Sequence, residues 1–211
     1  NMVMNFLNKM IITFAMLCLS SQPLLAQKSK DSEDLGKALE YFTSQKYHEA
    51  LLIFQRLDKA YQLNPRFKAY IGLCYYNEWD YEMAAKYLDN AIPQLDAFAP
   101  HERSVYYYTA GESHFNMKQY EKAIPYYEKA ATLCYKREKP DAYYRVAMCH
   151  MFLEQWKQAY DNYMKAEIDY NPYKAEEIVK TRLEQTKRMA KACWKNYIQN
   201  LPKDSVISKN D

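Results

Sequence analysis

The sequence predicts an all-α protein built from repeated helix–turn–helix units. Only three glycines occur in 211 residues, and no stretch alternates apolar and polar residues long enough to form a strand. Alanine, glutamate, lysine and tyrosine recur instead in blocks of helix length. Hydrophobic residues make up 49% of the chain and charged residues 26%, so a sizeable core can be buried.

The first element along the chain is an apolar segment. Lys9 precedes a run that carries no charge and ends at the small residue Ala26. This pattern predicts a secretory signal peptide over residues 1–26, followed by a short polar linker at residues 27–31. The alternative is an uncleaved membrane anchor, but the strongly apolar part is shorter than the ~20 residues that span a bilayer. We therefore expect a periplasmic or extracellular protein with no membrane span in the mature chain.

Four marker alanines reveal the repeats, which are predicted to occupy residues 32–170. They are separated by 34, 39 and 36 residues: Ala50, Ala84, Ala123 and Ala159. Each follows an aromatic residue by three positions and precedes a large apolar or aromatic residue by four, which is the spacing of one helical face. Twelve positions before each marker alanine stands a small residue: Ala38, Gly72, Gly111 and Ala147.

This order of positions resembles the tetratricopeptide repeat, a helix–turn–helix unit of about 34 residues. The segments "YIGLCYYNEWDYEMAAKYLDNA" and "YTAGESHFNMKQYEKAIPYYEKA" carry the pattern nearly completely. His114 and His150 replace the usual tyrosine, and an extended loop at residues 93–103 is predicted to account for the longer second spacing. The resemblance implies a right-handed superhelical solenoid of about four units that share a continuous core, acting as a non-catalytic scaffold for a protein or peptide partner.

A long capping helix is predicted at residues 171–201, before a polar tail at 202–211. Asn171 and Pro172 form a helix start signal. One apolar stripe follows: Ala175, Val179, Leu183, Ala190, Trp194, Tyr197 and Leu201. We expect this helix to seal the open end of the stack. Its basic excess is small, so a solvated face is preferred to a nucleic-acid site.

A second stripe, on the first helix of each unit, is turned away from the core. It lies eight, eleven and fifteen positions before the marker alanines, and it is mostly apolar or aromatic where a solvated helix face would be polar. The residue seven positions before each alanine follows directly on this stripe and is counted with it. We call it the groove face and predict that it lines a concave binding groove. The predicted partner-binding residues are Leu39, Phe42, Leu73, Tyr76, Asn77, Tyr108, Glu112, Phe115, Asn116, Tyr144, Met148, Met151 and Phe152.

Three alternatives for this face stay open. The chain's own ends, for instance the long last helix, would cover it; a small ligand or glycan would stack on its rings; or it would hold a permanent partner as a structural subunit of a cell-envelope complex. The carboxylate clamp known from the family is not matched, because Leu39 and Leu73 stand where its polar groups belong.

No catalytic motif is found. "HEALL" and "HERSV" begin like a zinc-protease motif, but Leu52 and Val105 stand where the second histidine belongs. Three glycines are too few for a phosphate loop or a nucleophile elbow. The sequence predicts a protein that is not an enzyme and has no metal or cofactor, while its oligomeric state stays open.

The cysteines of the mature chain form no C-x-x-C pair and lie far apart in sequence. Export would permit disulfides, and three pairings are open, but buried free thiols are the simpler interpretation. These residues are Cys74, Cys134, Cys149 and Cys193.

Overall fold

The computed structural model describes residues 27–202, which contain α-helices and short 3-10 turns but no strand. The α-helices are α1 (27–43), α2 (Tyr47–Tyr61), α3 (Pro65–Asn77), α4 (Tyr81–Ala91), α5 (Pro100–Asn116), α6 (Tyr120–Leu133), α7 (Lys139–Phe152), α8 (Trp156–Tyr170) and α9 (Glu177–Gln199). The chain forms two compact regions, which are larger than the repeat units: an N-terminal region that ends at Leu63 and a C-terminal region that begins at Asn64. Within the C-terminal region each helix from α3 to α9 packs on the next. The all-α prediction is confirmed. The predicted signal peptide and residues 203–211 of the predicted tail lie outside the described residues.

The repeat positions found in the sequence are core positions in the structure. All four marker alanines are completely buried, and so are the large residues four positions after them: Phe54, Leu88, Tyr127 and Tyr163. The small residues twelve positions earlier are buried as well. The predicted repeat phase is therefore confirmed in every unit.

A three-residue turn joins the two helices of each unit. Five positions before each marker alanine the backbone is left-handed, with φ between 57° and 62°: Gln45, Trp79, Lys118 and Glu154. The next residue donates its N–H to the carbonyl oxygen of the residue nine positions before the alanine, at 2.8 to 2.9 Å. This turn reverses the chain so that the second helix folds back along the first.

The two histidines that depart from the repeat pattern are accommodated by glutamines in these turns. His114 Nδ1 lies 2.7 Å from Gln119 Oε1, and His150 Nδ1 lies 2.6 Å from Gln155 Oε1. His114 Nε2 also lies 3.0 Å from the carboxylate of Asp89, and this hydrogen bond raises the pKa of His114. The exchange of tyrosine for histidine thus adds polar contacts without disturbing the turn.

In the second and third repeats, the first helix approaches the second most closely at a glycine of α3 and a glycine of α5. A Cβ atom on Gly72 would lie 2.7 Å from Leu88 Cγ, and one on Gly111 would lie 2.9 Å from the ring of Tyr127. Both glycines therefore allow a contact between helices that no other residue permits without a shift.

Three predicted boundaries are wrong. Residues 27–31 are helical rather than a linker, because Asp31 is buried and its carboxylate accepts hydrogen bonds from Arg56 and Tyr61. The expected loop at 93–103 is shorter, since α5 already begins at Pro100. The capping helix begins at Glu177, because Asn171 starts a 3-10 turn instead.

The apolar stripe of α9 is partly wrong. Val179, Leu183 and Ala190 are buried as predicted, and Thr186 and Cys193 complete a line at spacings of three and four residues. Ala175 is exposed, and Trp194 is partly exposed while it packs on Tyr160 and Tyr197. The buried line belongs to a core cluster that also contains residues of α7 and α8, so α9 covers the fourth repeat.

Gly111→Leu should lower the free energy of unfolding by roughly 1 to 3 kcal/mol or more, because the new side chain overlaps the ring of Tyr127. Leucine is itself the better helix former by about 1 kcal/mol, so packing alone accounts for any loss. Gly36→Leu is the matched control, since a Cβ atom there meets nothing within 4 Å. Thermal unfolding of both variants measures the difference. Equal melting temperatures for the two variants would contradict the close contact.

Candidate functional site

The predicted groove residues of the C-terminal compact region lie along α3, α5 and α7. Most of them keep exposed surface. Leu73, Tyr76, Tyr108, Phe115, Met148 and Met151 are half-buried, and Asn77, Asn116 and Phe152 are exposed. Leu39 and Phe42 are half-buried on α1 in the N-terminal compact region, where the ring of Phe42 packs edge-on against Tyr47 and Phe54.

Three rings form a cluster on the groove face, which we call the aromatic cluster. Phe152 stacks on Tyr120 with ring centroids 4.9 Å apart, and Phe115 meets both rings edge-on. Phe152 still exposes 48% of its surface. The guanidinium of Arg145 lies 5.1 Å from the centroid of Phe115. A large ring held in place from one side and open on the other is suited to contact a partner.

Glu112 was predicted to be one of the partner-binding residues, but the structure buries it. Its side chain is buried, with 6% of the residue exposed. Its carboxylate accepts hydrogen bonds from Arg145 Nη2 at 2.9 Å, from the Tyr127 hydroxyl at 2.5 Å and from the Tyr76 hydroxyl at 3.4 Å. These donors come from three other helices, so Glu112 joins consecutive repeats instead of facing a ligand.

Tyr144 was predicted to be an exposed anchor, and this prediction is also wrong. Only 4% of the residue is exposed, and its ring meets Tyr163 edge-on at 5.4 Å. Helix α9 is the cause, because Val179 and Leu183 share a core cluster with Tyr144 and the Arg182 guanidinium lies 4.6 Å from its ring centroid. At this position the chain's own last helix covers the face, as one of the alternatives expected.

The two asparagines of the groove face each form one side-chain hydrogen bond with the backbone of their own helix. Asn77 Nδ2 donates to the carbonyl of Leu73 and Asn116 Nδ2 donates to the carbonyl of Glu112, each at 2.8 Å. Each amide oxygen is left as the group that can accept a hydrogen bond from a bound segment.

Two clefts open on the protein and share Tyr108 and Asp141 in their linings. The first, of about 260 Å³, is lined by Ser104, Val105, Tyr108, Thr109, Ala130, Cys134, Glu138, Asp141 and Ala142. The second, which we call the arginine cleft, has a volume of about 290 Å³ and is lined by Tyr108, Arg137, Asp141, Tyr144, Arg145, Tyr170, Ile178, Val179 and Arg182.

The arginines of this second cleft were missed by sequence reasoning. Arg145 interrupts the apolar first helix of the fourth unit, and this interruption was a signal that could have drawn attention to it. Arg182 lay in the basic C-terminal region that was interpreted as a solvated face. No sequence pattern shows that α9 brings it against α7.

Residues 27–202 hold no group of histidine, cysteine, aspartate or glutamate side chains suited to a metal ion. None of the helices in this range is both long and apolar enough to cross a bilayer. The thiols of Cys74, Cys134, Cys149 and Cys193 are free; three of them are buried as the simpler interpretation expected, while Cys134 is only partly buried.

Comparison with known proteins supports the repeat assignment. Residues 104–136, which fall in the third predicted unit, match the family model described as "Tetratricopeptide repeat". No curated protein sequence matches the chain.

Solved structures share the fold. MamA 41-end from Desulfovibrio magneticus RS-1 is 15% identical with a TM-score of 0.54, over 82% of this chain and 98% of that one. A second MamA structure, "MamA AMB-1 P212121", is 11% identical with a TM-score of 0.58, over 87% and 100%. Cut9 in the APC/C hetero-tetramer Cut9–Hcn1 is 14% identical with a TM-score of 0.57, over 74% of this chain and 29% of that one.

The protein therefore has the tetratricopeptide-repeat fold, and the resemblance found in its sequence is confirmed. Proteins of this fold generally serve as scaffolds for protein–protein interaction and are typically non-catalytic.

Glu112→Gln should lower the free energy of unfolding by roughly 3 to 5 kcal/mol, because it leaves the guanidinium of Arg145 without its carboxylate. The lower end is expected, since the Arg145 side chain is 29% exposed. Glu121→Gln is the control, because Glu121 is exposed on α6 and its loss should change stability by no more than about 0.5 kcal/mol. Denaturant unfolding compares the two variants. Equal stabilities would show that the buried pair does not hold the repeats together.

Proposed function

We propose that the protein is a non-catalytic scaffold that binds a segment of a partner protein on its groove face, with the aromatic cluster as the anchor. The observation that carries this proposal is Phe152, a large ring with 48% of its surface exposed while Tyr120 fixes it from behind. Binding hot spots are typically such rigid aromatic residues, because they bury a large area at little cost in conformational entropy.

The groove face of α5 and α7 supplies further contacts around this anchor. Phe115 and Met151 are half-buried apolar neighbours, and Asn116 offers an amide oxygen to a backbone N–H. These groups suit an extended or helical segment with an apolar side chain that covers Phe152.

A glycan or small ligand on the same rings is less well supported than a protein segment. A sugar needs several polar side chains beside the ring on which it stacks. Glu112 is buried, and the amides of Asn77 and Asn116 already donate to their own helices, so these groove residues offer a sugar few polar groups. A permanent envelope subunit would use the same surface, and its partner would co-purify in a stoichiometric amount.

We also propose that the protein is exported, on the strength of the charge-free apolar run that ends at Ala26. The partner is therefore to be sought in the cell envelope. Recovery of the protein only in the cytosol, with residues 1–26 still attached, would contradict export.

Phe152→Ala should weaken binding of a partner recovered from the native envelope by about 2 kcal/mol or more, while the melting temperature stays nearly unchanged because the ring is half exposed. Ile168→Ala is the matched control, since Ile168 is an exposed apolar residue on α8 that lies outside the groove face. Pull-down with quantified partner, together with thermal unfolding of each variant, makes the measurement. Equal loss of partner in both variants would contradict a groove-face anchor.

A further inference from the structure

The arginine cleft joins the segment before α7, α7 itself and the capping helix α9. Its walls carry three guanidinium groups, from Arg137, Arg145 and Arg182, and one carboxylate, from Asp141. Tyr144, Tyr170 and Val179 also line it and are buried, each exposing 4% of its surface or less. Charged groups that border buried side chains interact more strongly than they do in water.

Two of the arginines are paired with carboxylates outside the lining. Arg137 donates from Nε and Nη2 to Glu176, with a shortest distance of 2.8 Å. Arg145 lies 2.7 Å from Glu112 through Nε and donates from Nη2 at 2.9 Å. Each guanidinium therefore has one edge committed to a carboxylate, and its remaining N–H groups meet other acceptors. For Arg145 these acceptors are the sulfur of Met148, 3.7 Å from Nη1, and the hydroxyl of Tyr108. A thioether sulfur is a weak acceptor that an oxyanion can replace.

Arg182 differs from the other two arginines. Among the described residues, no carboxylate lies within ion-pair distance of its guanidinium, which rests on the ring of Tyr144 at 4.6 Å from the centroid. The ring orients the guanidinium plane without neutralising its charge. Glu176 and Glu112 offset the charges of Arg137 and Arg145. Asp141, in the lining, offsets the charge of Arg182 without forming an ion pair with it, so the guanidinium of Arg182 is left for a closer acceptor.

We propose that the arginine cleft is a binding site for an anionic group, a carboxylate or phosphate, whose charge is met by Arg182 and whose oxygens accept hydrogen bonds from Arg137 and Arg145. Planar guanidinium forks match both kinds of oxyanion. The site uses α9, outside the repeats. It shares Tyr108 and Tyr144 with the predicted groove residues, but anion binding there does not require a partner bound at Phe152.

Removal of the Asp141 charge tests whether the bound group is negatively charged. Its carboxylate lines the cleft and accepts a hydrogen bond from the Tyr170 hydroxyl. A bound anion would be repelled by this charge, so its removal should strengthen binding. Asp141→Asn keeps an oxygen that can accept from Tyr170 while removing the charge.

The experiment titrates the full chain with inorganic phosphate, at constant ionic strength, and follows the arginine side-chain N–H signals by NMR. Saturable binding is expected. Arg182→Gln should weaken it about tenfold or more, and Arg182→Lys by less, because lysine keeps the charge but loses the fork. Asp141→Asn should tighten it. Arg188→Gln removes the same charge from an exposed position on α9 outside the cleft, and should leave binding within about twofold.

A second arm distinguishes the source of the anion. A blocked tripeptide with a central glutamate is compared with its glutamine counterpart on the wild-type protein and on Arg182→Gln. Preference for the glutamate peptide that is lost in Arg182→Gln identifies an acidic side chain of a protein segment as the ligand. Binding of phosphate without either peptide identifies a free anion. The proposal is overturned if no probe saturates, or if Arg182→Gln and Arg188→Gln weaken binding equally. Either of those results leaves the partner binding of Phe152 untouched.

Discussion

The close approach of the two helices in each unit, at a residue with little or no side chain, is the constraint on which the rest of the structure depends. At Gly72 and Gly111 the second helix places Leu88 and the ring of Tyr127 where a Cβ atom would stand. This contact determines which face of the first helix is covered inside the unit. The opposite face of that helix is then left for the neighbouring unit or for a partner.

A buried ion pair in the middle of the groove face adds to this arrangement. Glu112 on α5 is bound by Arg145 on α7 and by hydroxyl groups from α3 and α6. A carboxylate with this many donors fixes the register of successive units, since a shift by one residue would leave its charge buried and unpaired. The same pair holds Arg145 between the ring of Phe115 and the arginine cleft. One interaction therefore orders both candidate binding surfaces.

The repeat phase could be predicted from the sequence because it depends on local spacing. Ala84 and Leu88, or Gly111 and His114, lie on one helix and reveal their shared face through the period of the helix alone. The burial of Glu112 and Tyr144 could not be predicted in this way. Their partners, Arg145 for Glu112 and Arg182 for Tyr144, are more than 30 residues away and belong to another unit or to the capping helix. Single residues of the predicted groove face were therefore misassigned, whereas Phe152 is exposed.

The central claim is that a partner contacts the groove face on the first helices of the repeats, and not the exposed surface of the second helices. Site-specific photo-crosslinking in the native cells tests it most directly, with a photoreactive phenylalanine analogue placed at Phe152, at Asn116 and at the exposed α8 residue Ile168. The account predicts that one and the same partner is crosslinked from Phe152 and Asn116 and not from Ile168. Crosslinks to that partner from Ile168 alone, or equally from all three positions, would contradict it.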